Sequence, residues 1–110
     1  MNDVEVLRFS SAGDPPVLMM AGEIDEDTYT VLVRKLAELG AGDIHLSLAG
    51  VEFCDLAGLR AIVRLAGPGR GEAARRVVLH EVPAQLQTVL AIVGWDSTPG
   101  LVIDNRPARR

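Results

Sequence analysis

The stretch that most constrains the fold is residues 44–66, IHLSLAGVEFCDLAGLRAIVRLA, because its periodicity changes from strand to helix within a few residues. Ile44, Leu46 and Leu48 alternate with other residues, and this period of two indicates a strand with one better buried face. The apolar residues that then recur at helical spacing are Leu59, Ile62, Val63 and Ala66. A helix that follows a buried strand so closely must pack on the sheet, so the stretch predicts an α/β fold.

The connection between this strand and this helix contains a helix-capping residue. Asp55 lies where an N-cap is expected, and its carboxylate can accept hydrogen bonds from the unpaired amides of the first turn. Val51 and Phe53 are predicted to cover the loop between the two elements. Arg60 and Arg64, four residues apart, lie on another face of the helix. Capping alone is sufficient to explain Asp55.

The residues before this stretch predict a hairpin. Val4, Val6 and Phe9 suggest a first strand, which ends in the turn-forming residues 11–16. Two prolines in that turn cannot donate to a strand ladder. Residues 17–21 then predict a second strand, the hairpin partner of the first.

Two further helices and two short strands are predicted from capping residues and periodicity. Asp25 or a neighbour can cap one helix, and Pro83 can occupy the first turn of another, which Gly94 ends. Residues 77–80 and 101–103 read as short strands. The apolar stripes are Tyr29, Leu32, Val33 and Leu36 in the earlier helix and Leu86, Val89, Leu90 and Val93 in the later one.

Composition excludes several classes of protein. One cysteine, Cys54, rules out an internal disulfide, and with only His45 and His80 beside it a zinc site is not expected. Cys54 is either a reactive thiol with a lowered pKa beside the N-cap or, as we favour, a small packed side chain. No apolar run reaches the ~20 residues of a membrane span, and the N-terminus lacks a secretory signal, so a cytoplasmic protein is expected.

Charge is distributed unevenly along the chain. Residues 1–55 hold eleven acids and three bases, a net charge of −8, whereas residues 56–110 hold four acids and eight bases, a net charge of +4. Nucleic-acid binding usually requires a basic patch with aromatics for stacking. The pI near 5.0 and the four aromatic residues argue against it. The basic residues 106–110 are interpreted as part of a flexible solvated tail.

Three segments resemble the STAS domain, the fold of anti-sigma factor antagonists and of the cytoplasmic tails of sulfate transporters. F-C-D-L-A-G-L at 53–59 resembles that family's F-x-D-S-x-G-L, and G-E-I-D at 22–25 with Thr28 resembles its G-E-[LI]-D-x-x-T. Residues 83–94 resemble its last helix and the glycine after it. The resemblance implies a single STAS-like α/β sandwich over residues 4–103, with a mixed sheet of four to five strands packed with three or four helices, followed by a tail at 104–110.

The chain departs from the antagonists at one decisive position. They carry a phosphorylatable serine directly after the aspartate, where this sequence has Leu56 followed by Ala57. Neither residue has a hydroxyl. The resemblance therefore implies an antagonist-like shape without the phosphorylation that breaks the partner interface by repulsion and desolvation.

The candidate site lies in the two loops beyond the carboxyl ends of strands, where α/β sheets commonly bind their ligands and partners. Both loops are acidic, and Leu56 lies beside them as a partly exposed apolar residue. These loops also coincide with the segments through which the family's antagonists engage their kinase. The predicted partner-binding residues are Glu23, Asp25, Glu26, Glu52, Asp55, Leu56, Ala57, Gly58 and Arg60, with Asp27 in the same negative rim.

These observations favour a bacterial, protein-binding regulatory module whose partner is a kinase-like anti-sigma factor or another signalling protein. The alternative is a sensor of a nucleotide or small molecule, or a scaffold subunit of a signalling assembly. Catalysis is not expected, because no nucleophile is paired with a base, although Asp25 with Asp55 could hold a hard cation. No cofactor, nucleic acid or membrane is predicted as a partner, and the chain is expected to be a monomer or a weak homodimer.

Overall fold

Strands and helices alternate along most of the chain. The structure is a computed structural model that describes residues 6–40, 42–68 and 74–104. The elements in these residues are β1 (Leu7–Ala12), β2 (Val17–Ile24), α1 (Tyr29–Ala37), β3 (Ile44–Cys54), α2 (Leu56–Val63), β4 (Gly67–Pro68), β5 (Ala74–Arg75), β6 (Val77–His80), α3 (Ala84–Val93), a short 3-10 helix (Trp95–Ser97) and β7 (Leu101–Asp104).

Five of the strands form one mixed sheet in the order β1-β2-β3-β6-β7. β1 is antiparallel to β2, and the remaining neighbours are parallel. β4 and β5 pair with each other outside this sheet. The expected α/β architecture, a mixed sheet packed with three helices, is therefore confirmed.

The three α-helices lie on one face of the sheet. Each connects parallel strands, and each step moves in the same direction across the sheet, so right-handed crossovers place all three helices on the same side. The contacts agree, because α1, α2 and α3 contribute buried side chains to a single core. That core contains Leu32 and Leu36 from α1, Leu59, Ile62 and Val63 from α2, and Leu86 and Leu90 from α3.

Strand alternation supplies the other half of the core. Leu46 and Leu48 of β3 and Leu79 of β6 are fully buried beneath the helices. Residues of opposite parity, such as His45 and Val78, point to the other face of the sheet. Val78 is buried but lies outside the core cluster, which agrees with that position.

β3 is longer than the sequence predicted. It continues through Cys54, because its parallel ladder with β2 extends to Ile24 after a register shift. The prediction that Val51 and Phe53 cover a loop is therefore wrong, since both lie within the strand. Val51 is buried in the core, whereas Phe53 is 53% exposed.

Three apolar side chains lie on the surface where the sequence predicted buried positions. Val6 is exposed and Leu7 is buried, so the inward face of the first strand is displaced by one residue from the prediction. Tyr29 and Val33 in α1 are also largely exposed, because Leu32 and Leu36 alone bring that helix onto the core. Val4 lies outside the described residues.

The later elements follow the sequence closely. Gly94 ends α3 with a left-handed backbone, φ 82°, as a helix C-cap requires. Leu86 and Leu90 are buried as predicted, whereas Val93 at the end of α3 is exposed. The predicted last strand pairs with β6. None of the helices in the described part of the chain is both long and apolar enough to cross a bilayer.

Candidate functional site

The two acidic turns predicted from the sequence lie side by side. β2 and β3 are parallel neighbours, and their last paired residues are Ile24 and Cys54. The next amide, that of Asp55, donates to the carbonyl of Ile24 at 2.9 Å. The turn of residues 25–28 and the turn of residues 55–58 therefore leave the same edge of the sheet together.

The turn 25–28 is closed by Asp25 and Thr28. Asp25 Oδ1 accepts hydrogen bonds from the amides of Asp27 at 2.9 Å and Thr28 at 3.1 Å. In return Thr28 Oγ1 accepts from the amide of Asp25 at 2.9 Å and donates to the carbonyl of Glu23 at 2.9 Å. Thr28 is only 7% exposed. The sequence predicted Asp25 or a neighbour as the helix cap, and the N-cap of α1 is Thr28, without a side-chain cap hydrogen bond. Asp25 and Thr28 together close the turn that precedes the helix.

The turn 55–58 is closed by Asp55 and Gly58. Asp55 is the N-cap of α2, and its Oδ1 accepts from the amide of Gly58 at 2.8 Å, as predicted. A Cβ on Gly58 would lie 2.2 Å from Cγ2 of the buried Ile24. Gly58 therefore supports the site by allowing α2 to approach β2, and its own surface is buried.

The same two segments carry two exposed apolar side chains, one of which, Phe53, is paired in register with Glu23. Leu56 is 52% exposed, and Phe53, which sequence reasoning did not assign to the site, is 53% exposed. We call this surface the platform. It consists of Glu23, Asp25, Glu26, Asp27, Glu52, Phe53, Asp55, Leu56 and Ala57.

The platform is negatively charged, with a positive residue one helical turn away. Glu23, Glu26 and Glu52 are exposed, and among the described residues the close contacts between basic and acidic side chains, Lys35 with Glu38 and His80 with Asp104, include no platform acid. Arg60 is exposed on α2, four residues after Leu56. The platform therefore suits a surface that brings both positive charge and an apolar contact.

Cys54 lies beneath the platform as an unreactive thiol. Burial raises its pKa to about 12, and the neighbouring Asp55 carboxylate adds to the effect. Its Sγ donates to the carbonyl of Asp55 at 3.5 Å. Because thiolates carry cysteine reactivity, this environment supports the packing role and contradicts the alternative of a lowered pKa.

The two histidines, which the sequence separated widely, meet on the sheet face without helices. His45 Nδ1 and His80 Nε2 are 3.0 Å apart, and the rings stack with centroids 5.2 Å apart. Only the register of β3 against β6 brings them together, and the sequence carries no signal of that register. Within residues 6–40, 42–68 and 74–104, no group of three or more histidine, cysteine or acidic side chains is arranged to hold a metal.

Comparison with known proteins agrees with this geometry. The family described as Mlab, STAS domain matches residues 7–103, which include every strand of the main sheet, all three helices and both platform turns. Among curated proteins no match was found. The chain therefore belongs to the STAS domain family, whose members serve in general as regulatory or binding modules.

Proposed function

We propose that the chain binds a partner protein through the platform, in the manner of an anti-sigma factor antagonist. The observation that carries this proposal is that Phe53 and Leu56, each about half exposed, lie in the same two segments as six acidic residues. An apolar centre with a polar rim is the usual anatomy of a protein–protein interface. The two capped turns keep this surface rigid, which lowers the entropic cost of binding.

The partner we propose is a kinase-like anti-sigma factor in the bacterial cytoplasm. Its contact surface must supply cationic side chains opposite Glu23, Glu26 and Glu52, and an apolar recess for Leu56. Charge complementarity of this kind increases the association rate, and burial of Leu56 adds affinity. A different signalling protein with the same surface chemistry is the related possibility, because the platform specifies chemistry and not identity.

We further propose that phosphorylation does not switch this interface. Leu56 and Ala57 have no hydroxyl, and the hydroxyls of Thr28 and Ser47 are buried, although Tyr29 and Thr30 at the start of α1 are exposed. Thr28 Oγ1 is held by Asp25 and Glu23, and Ser47 Oγ donates to Glu81 Oε1 at 3.3 Å. A kinase would have to open the turn 25–28 or the sheet to reach either one. These contacts support a constitutive binder.

The platform gives less support to the alternative function, a sensor of a nucleotide or small molecule, than to protein binding. The described cavities lie along the helices and strand edges, and no platform residue lines any of them. A cluster of carboxylates also disfavours the phosphates of a nucleotide. The observations therefore support a protein partner ahead of a nucleotide.

The proposal is tested by capture from the native cells with three forms of the chain. Wild type should recover a kinase-like protein, and Leu56→Glu should recover none. Ile92→Glu is the matched control, because Ile92 is 77% exposed on α3, outside the platform. Recovery that survives Leu56→Glu, or that Ile92→Glu abolishes equally, contradicts the proposed site.

The phosphorylation proposal needs a separate measurement. The chain is incubated with the captured partner and ATP, and the intact mass is recorded. We expect no mass increase of one phosphate. A phosphorylated species whose fragments place the group on Thr28 would contradict the constitutive interpretation.

A further inference from the structure

A groove runs between α1 and α2 on the outside of the helix layer. It has a volume of about 410 Å³. One wall is formed by Tyr29 and Val33, four residues apart on α1, and the other by Ala61 of α2 and by Leu65, which follows the C-cap of that helix. Tyr29 and Val33 line one face of α1, so the groove has an apolar helical ridge on one side and two apolar side chains on the other.

The end of the groove farthest from the platform is positively charged. Arg64, the C-cap of α2, lines it together with Arg75, whose Nη2 donates to the carbonyl of Gly40 at 2.9 Å. No carboxylate is found among the described residues that line the groove. The chain as a whole has a net charge of −4, whereas this end of the groove is positively charged. It therefore favours a ligand with an anionic group.

The platform lies at the opposite end of the two helices from Arg64. α1 begins directly after the turn 25–28, and α2 begins with Leu56. The two helices contact each other and run from that edge of the sheet toward Arg64 and Arg75. The platform acids therefore lie where both helices begin, whereas the basic end of the groove lies toward the ends of the helices.

We propose that this groove receives an amphipathic helix of the partner protein, with acidic side chains where it meets Arg64 and Arg75. The inference rests on the proposed function, because it extends the same interface. An apolar groove between two packed helices can receive the apolar face of a third helix, and this is a recurrent mode of recognition. The positive charges of Arg64 and Arg75 determine which flank of the partner's helix carries its acidic side chains.

The test uses two synthetic peptides of about 15 residues, a length at which an isolated helix is marginally stable. Both carry leucines at i, i+3, i+4 and i+7, with glutamates on the flanks of one and lysines on the flanks of the other. Fluorescence anisotropy should show the glutamate peptide binding at least ten-fold more tightly. Arg64→Glu should reverse this preference. Val33→Glu should abolish binding of both peptides.

Val31→Glu is the matched control. Val31 and Val33 are both exposed valines of α1, at 46% and 38%, but only Val33 lines the groove. Val31→Glu should leave the affinity within two-fold of wild type, and circular dichroism should show that both variants are folded. Equal losses in the two variants would overturn the proposal.

Two other results would also overturn it. One is the absence of any charge preference between the peptides. The other is that the chain binds dodecanoate but neither peptide, and that dodecanoate changes the chemical shifts of the Val33 and Ala61 amides. That result would show that the groove binds a small amphiphilic anion. The peptides test the groove alone, whereas capture from cells with Leu56→Glu tests the platform. Failure of this inference is thus distinguishable from failure of the platform.

Discussion

The turns 25–28 and 55–58 share one construction and differ in what they display. Each begins with an aspartate at the end of a parallel strand, and each carboxylate accepts from the amide three residues later. The two residues between are Glu26 and Asp27 in one turn and Leu56 and Ala57 in the other. The ends of each turn thus determine its geometry, while the pair in the middle determines what a partner meets.

The two turns also differ in how they are closed. Thr28 closes its turn with a buried hydroxyl that both donates and accepts, whereas Gly58 closes its turn by having no side chain, so that α2 lies against Ile24. One closure depends on hydrogen bonds and the other on close packing. Substitutions of Thr28 and Gly58 therefore test the contributions of hydrogen bonding and of close packing to stability separately.

The largest loss of stability is expected for Thr28→Val. The change keeps the shape of the side chain but leaves the amide of Asp25 and the carbonyl of Glu23 without their buried partner. The cost should be about 2 to 3 kcal/mol of unfolding free energy, measured by urea denaturation. Thr28→Ser, which keeps the hydroxyl, should lose clearly less. Equal losses would show that the methyl group contributes as much as the hydroxyl, which would contradict closure of this turn by hydrogen bonding.

A somewhat smaller loss is expected for Gly58→Ala. The new methyl group would meet Ile24, and overpacking of this kind costs about 1 to 3 kcal/mol, offset by up to about 1 kcal/mol of helix propensity. Gly40→Ala is the control, because nothing lies within 4 Å of its added Cβ. Unfolding of both variants should show a loss only for Gly58→Ala. A Gly58→Ala chain as stable as wild type would refute the close-packing account.

Removing the two aspartates compares the turns directly. Asp25→Ala and Asp55→Ala should each cost about 1 kcal/mol, with Asp25→Ala the more costly because Asp25 accepts from two amides and Asp55 from one. The corresponding asparagine variants should recover most of the stability, since asparagine is also a good cap. If the asparagine variants had denaturation midpoints as low as those of the alanine variants, the charge of the aspartates would contribute more to stability than their hydrogen bonds.

The smallest effect at neutral pH concerns Cys54. Its folded pKa of about 12 lies above the ordinary 9.0, so the folded state holds this proton more tightly than the unfolded state. Stability from this difference is complete below pH 9 and is lost as pH rises from about 9 to about 12. Wild type should therefore lose stability more steeply than Cys54→Ala across that interval. Parallel curves for the two proteins would contradict the burial of the thiol.

The sequence predicted the local features of the site and missed those that depend on strand register. The cap by Asp55 and the partial exposure of Leu56 follow from a few neighbouring residues. The exposure of Phe53 does not, because a register shift between β2 and β3 displaces it from the alternation that buries Val51. The contact between His45 and His80 depends on β3 pairing with β6, which is also nonlocal.

The central claim is that both turns contact the same partner, and amide hydrogen exchange of the chain with and without that partner tests it most directly. We predict that binding slows exchange in residues 25–28 and 55–58 together, and leaves the edge strands β1 and β7 unchanged. Slowed exchange confined to β1, to β7 or to the sheet face that bears His45 and His80 would contradict the claim.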